Sequence, residues 1–315
     1  MKKGGGSMYL KRKIDEYLLE WKKNEERLPL IIKGARQIGK TESINHFAEQ
    51  NYSNIVSINF VLEPKYKTIL SDGYAVEDII KNISMIDTSK RFIAGDTVII
   101  FDELQEFPDI ATALKSFRID GRFDVICSGS LLGINYRKIH SNSVGYKTDY
   151  EMFSMDFEEF LWAKGYSEKH IEDILKHMQT GTPFSETELS VYKKLFLEYC
   201  VLGGMPAVVK VYIEKNLFTD TLEIQRQIQM DYEEDIRKYG LQLEPDYRAW
   251  ENPIGGSDNG SFAKVGIPII WYHTDGHPDY HQPSDHADRL NWDKVVEITK
   301  ASFLNMWKMA NEKSF

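Results

Sequence analysis

Short apolar runs recur between residues 28 and 133, separated by polar and glycine-containing segments. Leu28 to Ile32 forms the first run, Thr97 to Phe101 the second and Phe123 to Cys127 the third. Short runs rich in Ile, Val and Phe are typical of strands that are buried on both faces, as in a parallel sheet. A stretch with helical spacing follows the first run through Glu49, so the pattern predicts an α/β fold with three layers and a mostly parallel sheet.

Helical spacing also precedes and follows this region. Ile14, Leu18 and Trp21 predict an amphipathic helix within Met8 to Glu26. Glu- and Lys-rich helical patterns continue to Tyr239, and near Gly240 the composition changes to Pro, Gly, Trp, His and Asp. The chain therefore divides into a linker or tag at 1–7, an α/β core at 8–150, a helical extension at 151–239 and a small α+β fragment at 240–315.

Composition narrows the classes of function. The 315 residues are 42% hydrophobic, which is enough for real cores, and the formal net charge of −9 does not indicate nucleic acid as a partner. Two cysteines, Cys127 and Cys200, are too few for a disulfide framework and fit a reducing compartment. No stretch reaches the roughly 18 to 20 apolar residues of a membrane span, so the sequence predicts a cytoplasmic protein without membrane contact.

A glycine-containing motif lies between the first predicted strand and the following helix. Residues 34–41 read GARQIGKT, which is G-x-x-x-x-G-K-T in the context that a phosphate-binding loop requires. Its backbone amides and the helix N-terminus bind phosphates, Lys40 reaches the β- and γ-phosphates, and the Thr41 hydroxyl binds magnesium. The motif predicts a site for a nucleoside triphosphate with Mg²⁺.

Two carboxylates follow the second apolar run, where a neighbouring strand of a nucleotide site needs an acidic group. Asp102 is the predicted magnesium ligand, and Glu103 is the predicted base that orients the attacking water. After the third run, Ser128 and Ser130 are candidates for contact with the γ-phosphate or the water, although Ser-Gly-Ser is also a common turn. Arg36 either touches phosphate or pairs with a carboxylate. The predicted nucleotide contacts are Gly34, Ala35, Arg36, Gln37, Ile38, Gly39, Lys40, Thr41, Glu42 and Ser128, with Lys40 and Glu103 as catalytic residues.

The stretch from about Met8 to Tyr239 resembles the AAA-type P-loop ATPases of prokaryotes that have a C-terminal domain of unknown function. The resemblance rests on GARQIGKTES, VIIFDELQEFPD, DVICSGSLLG, SMDFEEFLWAKG and FLEYCVLGGMPAVV, at 34–43, 98–109, 124–133, 154–165 and 196–209. It implies ATP binding and hydrolysis coupled to a conformational change, with an unknown protein partner and an oligomer as an open possibility. The last two blocks belong to the helical lid, where their aromatic residues are expected in the core.

The C-terminal residues resemble a different family. GGSDNGSFAKVGIPIIWYHTDGHPDYHQPSDHAD at 255–288 is similar to the C-terminal segment of aminopeptidases that use two co-catalytic zinc ions. The resemblance implies His281 as a zinc ligand, Asp258 beside the site and Asp285 in a supporting role. Asn259 stands where that family commonly has histidine.

This fragment alone does not supply the ligands of a catalytic zinc site, which needs about three protein ligands and an open position. We therefore expect an ATPase fused to an incomplete zinc-peptidase segment, a chimera of natural, engineered or artefactual origin. Two alternatives remain open. They are a zinc-dependent aminopeptidase-like activity, and an interaction switch that binds ATP without hydrolysing it.

Overall fold

The computed structural model describes residues 8–130 and 145–238, with the side chains of Ser130 and of residues 233–238 left out. His281, Asp258 and Asp285 lie outside the described residues, as do the strand and helix predicted between 240 and 315. Within the described part, the strands are β1 Leu30–Gly34, β2 Asn54–Asn59, β3 Thr97–Asp102, β4 Asp124–Ser130 and β5 Thr148–Glu151. The helices are α1 Lys13–Lys23, α2 Lys40–Asn51, α3 Val76–Ile86, α4 Ile110–Asp120, α5 Phe157–Ala163, α6 Glu168–Thr180, α7 Glu186–Leu202, α8 Pro206–Lys215 and α9 Leu222–Lys238.

The five strands form one parallel sheet in the order β2-β3-β4-β1-β5. The α/β class and the parallel sheet are confirmed, and the three predicted strands correspond to β1, β3 and β4. The expected adjacency of the strands carrying the phosphate loop and Asp102 is wrong, because β4 lies between β1 and β3. This order follows from the third crossover, through α4, which places β4 in the central position beside β1.

Helices cover both faces of the sheet. Alternate residues of the strands, such as Ile31, Ile99 and Val125, pack with buried residues of α3 and α4 in one core. On the opposite face α2 packs on β1 and β4 and also contacts α1. The three apolar residues that predicted α1 are all buried: Ile14, Leu18 and Trp21. The result is the expected arrangement of three layers.

The helices after β5 bring together the two sequence blocks at 154–165 and 196–209. The backbone amide of Met155 donates to the Gly204 carbonyl at 2.7 Å, and the Tyr199 hydroxyl donates to the Met155 carbonyl at 2.8 Å. The rings of Phe160 and Tyr199 lie 5.5 Å apart. An added Cβ on Gly204 would lie 2.0 Å from the Met155 carbonyl oxygen, so this backbone approach requires glycine. Phe160 is fully buried as expected, whereas Phe196 of the second block is 50% exposed and does not lie in the core.

The chain separates into two compact units at residue 228. The first unit is Met1–Ile228 and the second is Gln229–Phe315. The side-chain contacts described below lie within the first unit. None of the helices in residues 8–130 and 145–238 is both long and apolar enough to cross a membrane.

Candidate functional site

The loop at 34–39 connects the carboxyl end of β1 to the first turn of α2. Gly39 precedes α2 with φ of 92°, and Gln37 also has positive φ, at 62°. An added Cβ on Gly34 would lie 2.3 Å from the carbonyl oxygen of Met152 and 2.4 Å from Cδ1 of Ile38. Glycine at 34 and 39 therefore permits a tight turn against neighbouring backbone, which leaves loop amides and the helix N-terminus at one place.

Lys40 places a cation inside this loop. Its Nζ donates to the carbonyl oxygens of Gly34 at 2.9 Å and Ala35 at 2.6 Å. Burial lowers the pKa of Lys40 from its ordinary value, while the charges of Glu103 and Asp102 act in the opposite direction and Arg36 lowers it further. A half-buried ammonium that is bound to carbonyls alone fits a site that receives an anion, because phosphate oxygens would offset its desolvation.

Asp102 lies at the end of β3 and accepts hydrogen bonds from several elements. The Thr41 hydroxyl lies 3.2 Å from Oδ2, and the Asn59 side-chain amide donates to Oδ2 at 3.0 Å. The buried Ser128 hydroxyl donates to Oδ1, and the backbone amide of Glu103 donates to Oδ1 at 3.1 Å. The carboxylate is therefore fixed beside the hydroxyl that follows Lys40. A carboxylate and a hydroxyl in this arrangement are suitable oxygen ligands for Mg²⁺.

Glu103 follows Asp102 in a left-handed backbone conformation, with φ of 58° and ψ of 51°. This conformation is uncommon for a residue other than glycine and is concentrated at functional sites. The Glu103 carboxylate accepts a hydrogen bond from the Gln105 side-chain amide. The sharp turn separates the direction of the Glu103 side chain from that of Asp102, so adjacent acids in the sequence have different surroundings.

The other predicted contacts occupy varied surroundings. Arg36 is exposed, and Ala35 and Ile38 contribute backbone carbonyls to neighbouring side chains. Glu42 is exposed on the first turn of α2, with one carboxylate oxygen 4.0 Å from the Lys210 ammonium in α8. Ser128 is completely buried, so its hydroxyl contacts Asp102 inside the protein, a partner that the sequence pattern did not predict.

The sequence analysis did not predict two residues of the site. Asn59 is a polar residue at the carboxyl end of a parallel strand, and that position is a signal that could have identified it. Arg12 is buried, and its Nη1 donates to the Ile38 carbonyl at 2.7 Å. No local pattern distinguishes Arg12 from the other charged residues of the N-terminal segment, since its partners lie far along the chain.

Comparison with known families finds two separate matches along the chain. Residues 26–161 match the family model described as AAA domain. This part of the chain is similar to AAA domains. Residues 209–305 match the model of peptidase family M28, which confirms that the chain combines two resemblances. The M28 match begins at Val209, within α8 and before the change of composition near Gly240. No curated protein sequence matches the chain significantly.

Two solved structures show distant similarity to this chain. The Walker-type ATPase of Pyrococcus abyssi is 14% identical with a TM-score of 0.44, and the match covers 74% of this chain and 77% of that one. The RuvB Holliday junction branch migration motor of Thermotoga maritima is 14% identical with a TM-score of 0.38 over 81% of this chain and 80% of that one. Both are similar to this chain at a level that says nothing about its substrate or partner.

Proposed function

We propose that this chain binds ATP with Mg²⁺ at residues 34–41 and hydrolyses it slowly to drive a change of conformation. The observation that carries the proposal is the position of the Asp102 carboxylate, 3.2 Å from the Thr41 hydroxyl. Thr41 directly follows Lys40, whose ammonium lies under the loop. A cation, loop amides, a hydroxyl and a strand-end carboxylate together provide the groups that a triphosphate and its metal need.

Each side chain has a defined role in this proposal. Lys40 binds the β- and γ-phosphates, and loop amides at 34–39 bind phosphate oxygens. Thr41 and Asp102 would hold magnesium, which supplies charge neutralisation at the phosphates when bound. Asn59 and Ser128 hold the Asp102 carboxylate in place. Glu103 accepts a proton from the attacking water.

Two substitutions with matched controls test the assignment. We expect Lys40→Ala to abolish ATP binding in calorimetry, whereas Glu103→Gln keeps binding and stops phosphate release. Lys90→Ala is the control for lysine. The Lys90 ammonium also donates to a backbone carbonyl, that of Ser57 at 2.7 Å, but it is not part of the proposed site. Glu106→Gln is the control for glutamate, because Glu106 only pairs with Lys67 at 3.2 Å. Ordinary hydrolysis in Lys40→Ala or Glu103→Gln would refute the assignment.

A switch that binds ATP without turnover is the second candidate. The hydrogen bond from Gln105 to the Glu103 carboxylate favours it, because that contact occupies an oxygen that the attacking water would need. Single-turnover kinetics separates the candidates. With protein in excess of ATP, the switch predicts ATP that stays intact on the protein, while the ATPase predicts conversion of the bound ATP to ADP and phosphate. Gln105→Ala accelerates hydrolysis if the contact restrains Glu103.

We also propose that the M28 segment does not form a working peptidase site. The M28 match covers only residues 209–305, and an AAA match occupies residues 26–161 ahead of it, so the fragment stands without the rest of a peptidase domain. A catalytic zinc site needs about three protein ligands. Elemental analysis of the purified chain would find less than one zinc per molecule, and aminopeptidase substrates would not be cleaved. One or two zinc ions per chain with cleavage would reverse this proposal.

A further inference from the structure

Arg12 is buried next to the phosphate loop and contacts three segments that are distant in sequence. Its Nη1 donates to the Ile38 carbonyl at 2.7 Å, and its Nη2 donates to the Phe153 carbonyl at 2.7 Å. Its Nε lies 3.0 Å from Glu159 Oε1, an ion pair without the alignment of a hydrogen bond. A buried guanidinium is costly unless it is paired, so these contacts are required for Arg12 to remain there.

The contact with Ile38 sets the direction of one loop amide. The peptide between Ile38 and Gly39 is planar and trans, so its carbonyl and its amide point in opposite directions. Because the carbonyl faces Arg12, the Gly39 amide faces away from Arg12. An added Cβ on Gly39 would lie 3.4 Å from Arg12 Nη1 and 3.5 Å from Pro206 Cγ. This part of the loop is thus enclosed between Arg12 and the start of α8.

Glu159, the acidic partner of Arg12, is also held in place by hydrogen bonds. Glu159 in α5 is buried, its Oε1 accepts from the Lys13 amide at 2.7 Å, and its Oε2 accepts from the Asp156 amide at 3.1 Å. Asp156 is the N-cap of α5 and accepts from the Glu159 amide at 2.9 Å. A shift of the Ile38 carbonyl therefore moves the Arg12 guanidinium. Because this group is planar and rigid, it passes the movement through Glu159 to the first turn of α5.

We infer that Arg12 is a positioning residue that orients the Gly39 amide for phosphate and links occupation of the loop to helix α5. The inference rests on the proposed ATP site. It adds a residue from outside the motif, and a route by which bound phosphate acts on the helices after β5.

Arg12→Lys in the full chain tests the inference, because lysine keeps the charge and loses the fork that reaches three partners. We expect the Kd for ATP to rise about tenfold, the effect of a misplaced hydrogen bond to a charged group. We also expect ATP to slow amide hydrogen exchange in Phe157–Ala163 of the wild type and not of this variant. Arg27→Lys is the matched control. Arg27 also donates two hydrogen bonds to a carboxylate, at 2.6 and 2.9 Å to Asp124, and it contacts neither Ile38 nor Glu159 in these bonds.

Equal losses of thermal stability in Arg12→Lys and Arg27→Lys, with ATP affinity reduced only in Arg12→Lys, support the inference. Wild-type affinity in folded Arg12→Lys overturns it while leaving the ATP site intact. Failure of the wild-type chain to bind ATP overturns the proposed function as well. Glu159→Gln provides a second measurement that does not depend on the folding of Arg12→Lys. It should raise the Kd about threefold and abolish the ATP-dependent protection of α5, and wild-type protection in this variant overturns the inference.

Discussion

Replacing Asn59 by Asp places a second carboxylate against Asp102 and tests the network that holds the proposed metal ligand. The side-chain amide of Asn59 donates to Asp102 Oδ2 at 3.0 Å. Its carbonyl oxygen accepts from the backbone amides of Val61 at 2.9 Å and Leu62 at 3.0 Å. The aspartate keeps the acceptor for the turn and replaces only the donor with a charged oxygen. The substitution is thus specific to the contact with Asp102.

The magnitude follows from the distance. Two unit charges 3.0 Å apart repel by about 5.5 kcal/mol at an effective dielectric constant of about 20. Asp102 is 7% exposed and Asn59 is partly exposed, so solvent reduces this value. We expect the free energy of unfolding at pH 8 to fall by roughly 3 to 5 kcal/mol.

The sign of the pH dependence distinguishes repulsion from a general defect. A carboxyl pKa that is raised in the folded protein makes the native state bind more protons than the unfolded chain, so stability falls as pH rises. The deficit should be absent below about pH 4, increase up to the raised pKa, and stay constant above it. Urea unfolding at a series of pH values measures this curve.

Asn82→Asp is the control for the same chemistry against an exposed acid. The Asn82 amide donates to Oδ2 of the exposed Asp72 at 3.1 Å and to the Ile69 carbonyl at 3.2 Å. Solvent screening should limit its cost to less than about 1 kcal/mol. A pH-independent deficit in Asn59→Asp, or deficits of equal size in the two variants, would show that Asp102 is not held as a charged group in this network.

Two further predictions concern the loop itself. Gly34→Ala should lower the free energy of unfolding by about 3 kcal/mol or more, because the new Cβ would lie 2.3 Å from the Met152 carbonyl oxygen. Gly73→Ala, at φ of 108° with open space around it, should cost only about 1 kcal/mol, and equal costs in urea unfolding would contradict the steric reasoning. Because burial lowers the pKa of Lys40, the ATP affinity of the wild type should be constant near neutral pH and fall as pH rises, with a midpoint below about 10.4 in the free protein. Calorimetry between pH 7 and 10.5 measures this midpoint, and affinity that is unchanged across the range would exclude the lysine ammonium as a phosphate ligand.

The sequence predicted the centre of the sheet because its strands carry strong side-chain signals. All six residues of β3 are buried, and the phosphate-loop motif identified the strand before it and the helix after it. Strand β5, Thr148–Glu151, was not predicted, since it is a polar edge strand that joins the sheet through its backbone. Strand β2 alternates between buried and exposed residues only over its last part, Val56 to Asn59, which leaves a short pattern to detect.

Side-chain contacts between distant segments could not be predicted from the sequence, for a different reason. The chemical type of Arg12 says only that it needs a charged or polar partner if buried, and the chain offers 48 acidic residues. Which of them it meets depends on how α5 packs against the N-terminal segment. The motif residues Lys40, Thr41 and Asp102 could be grouped in advance because the glycine loop and the strand end fix their backbone positions.

The order of the strands explains how these groups leave room for a ligand. Neighbouring strands lie about 4.8 Å apart, so an acid on a strand next to β1 would crowd the phosphate loop. With β4 between β1 and β3, the strand that carries Asp102 is about twice that distance from the loop strand. The Thr41 hydroxyl, on the first turn of α2, still reaches the Asp102 carboxylate. The Ser128 hydroxyl, on β4, donates a hydrogen bond to the same carboxylate. The insertion of β4 therefore separates the loop amides from the acid by a width suited to a phosphate and a metal ion, while one hydroxyl still contacts the acid.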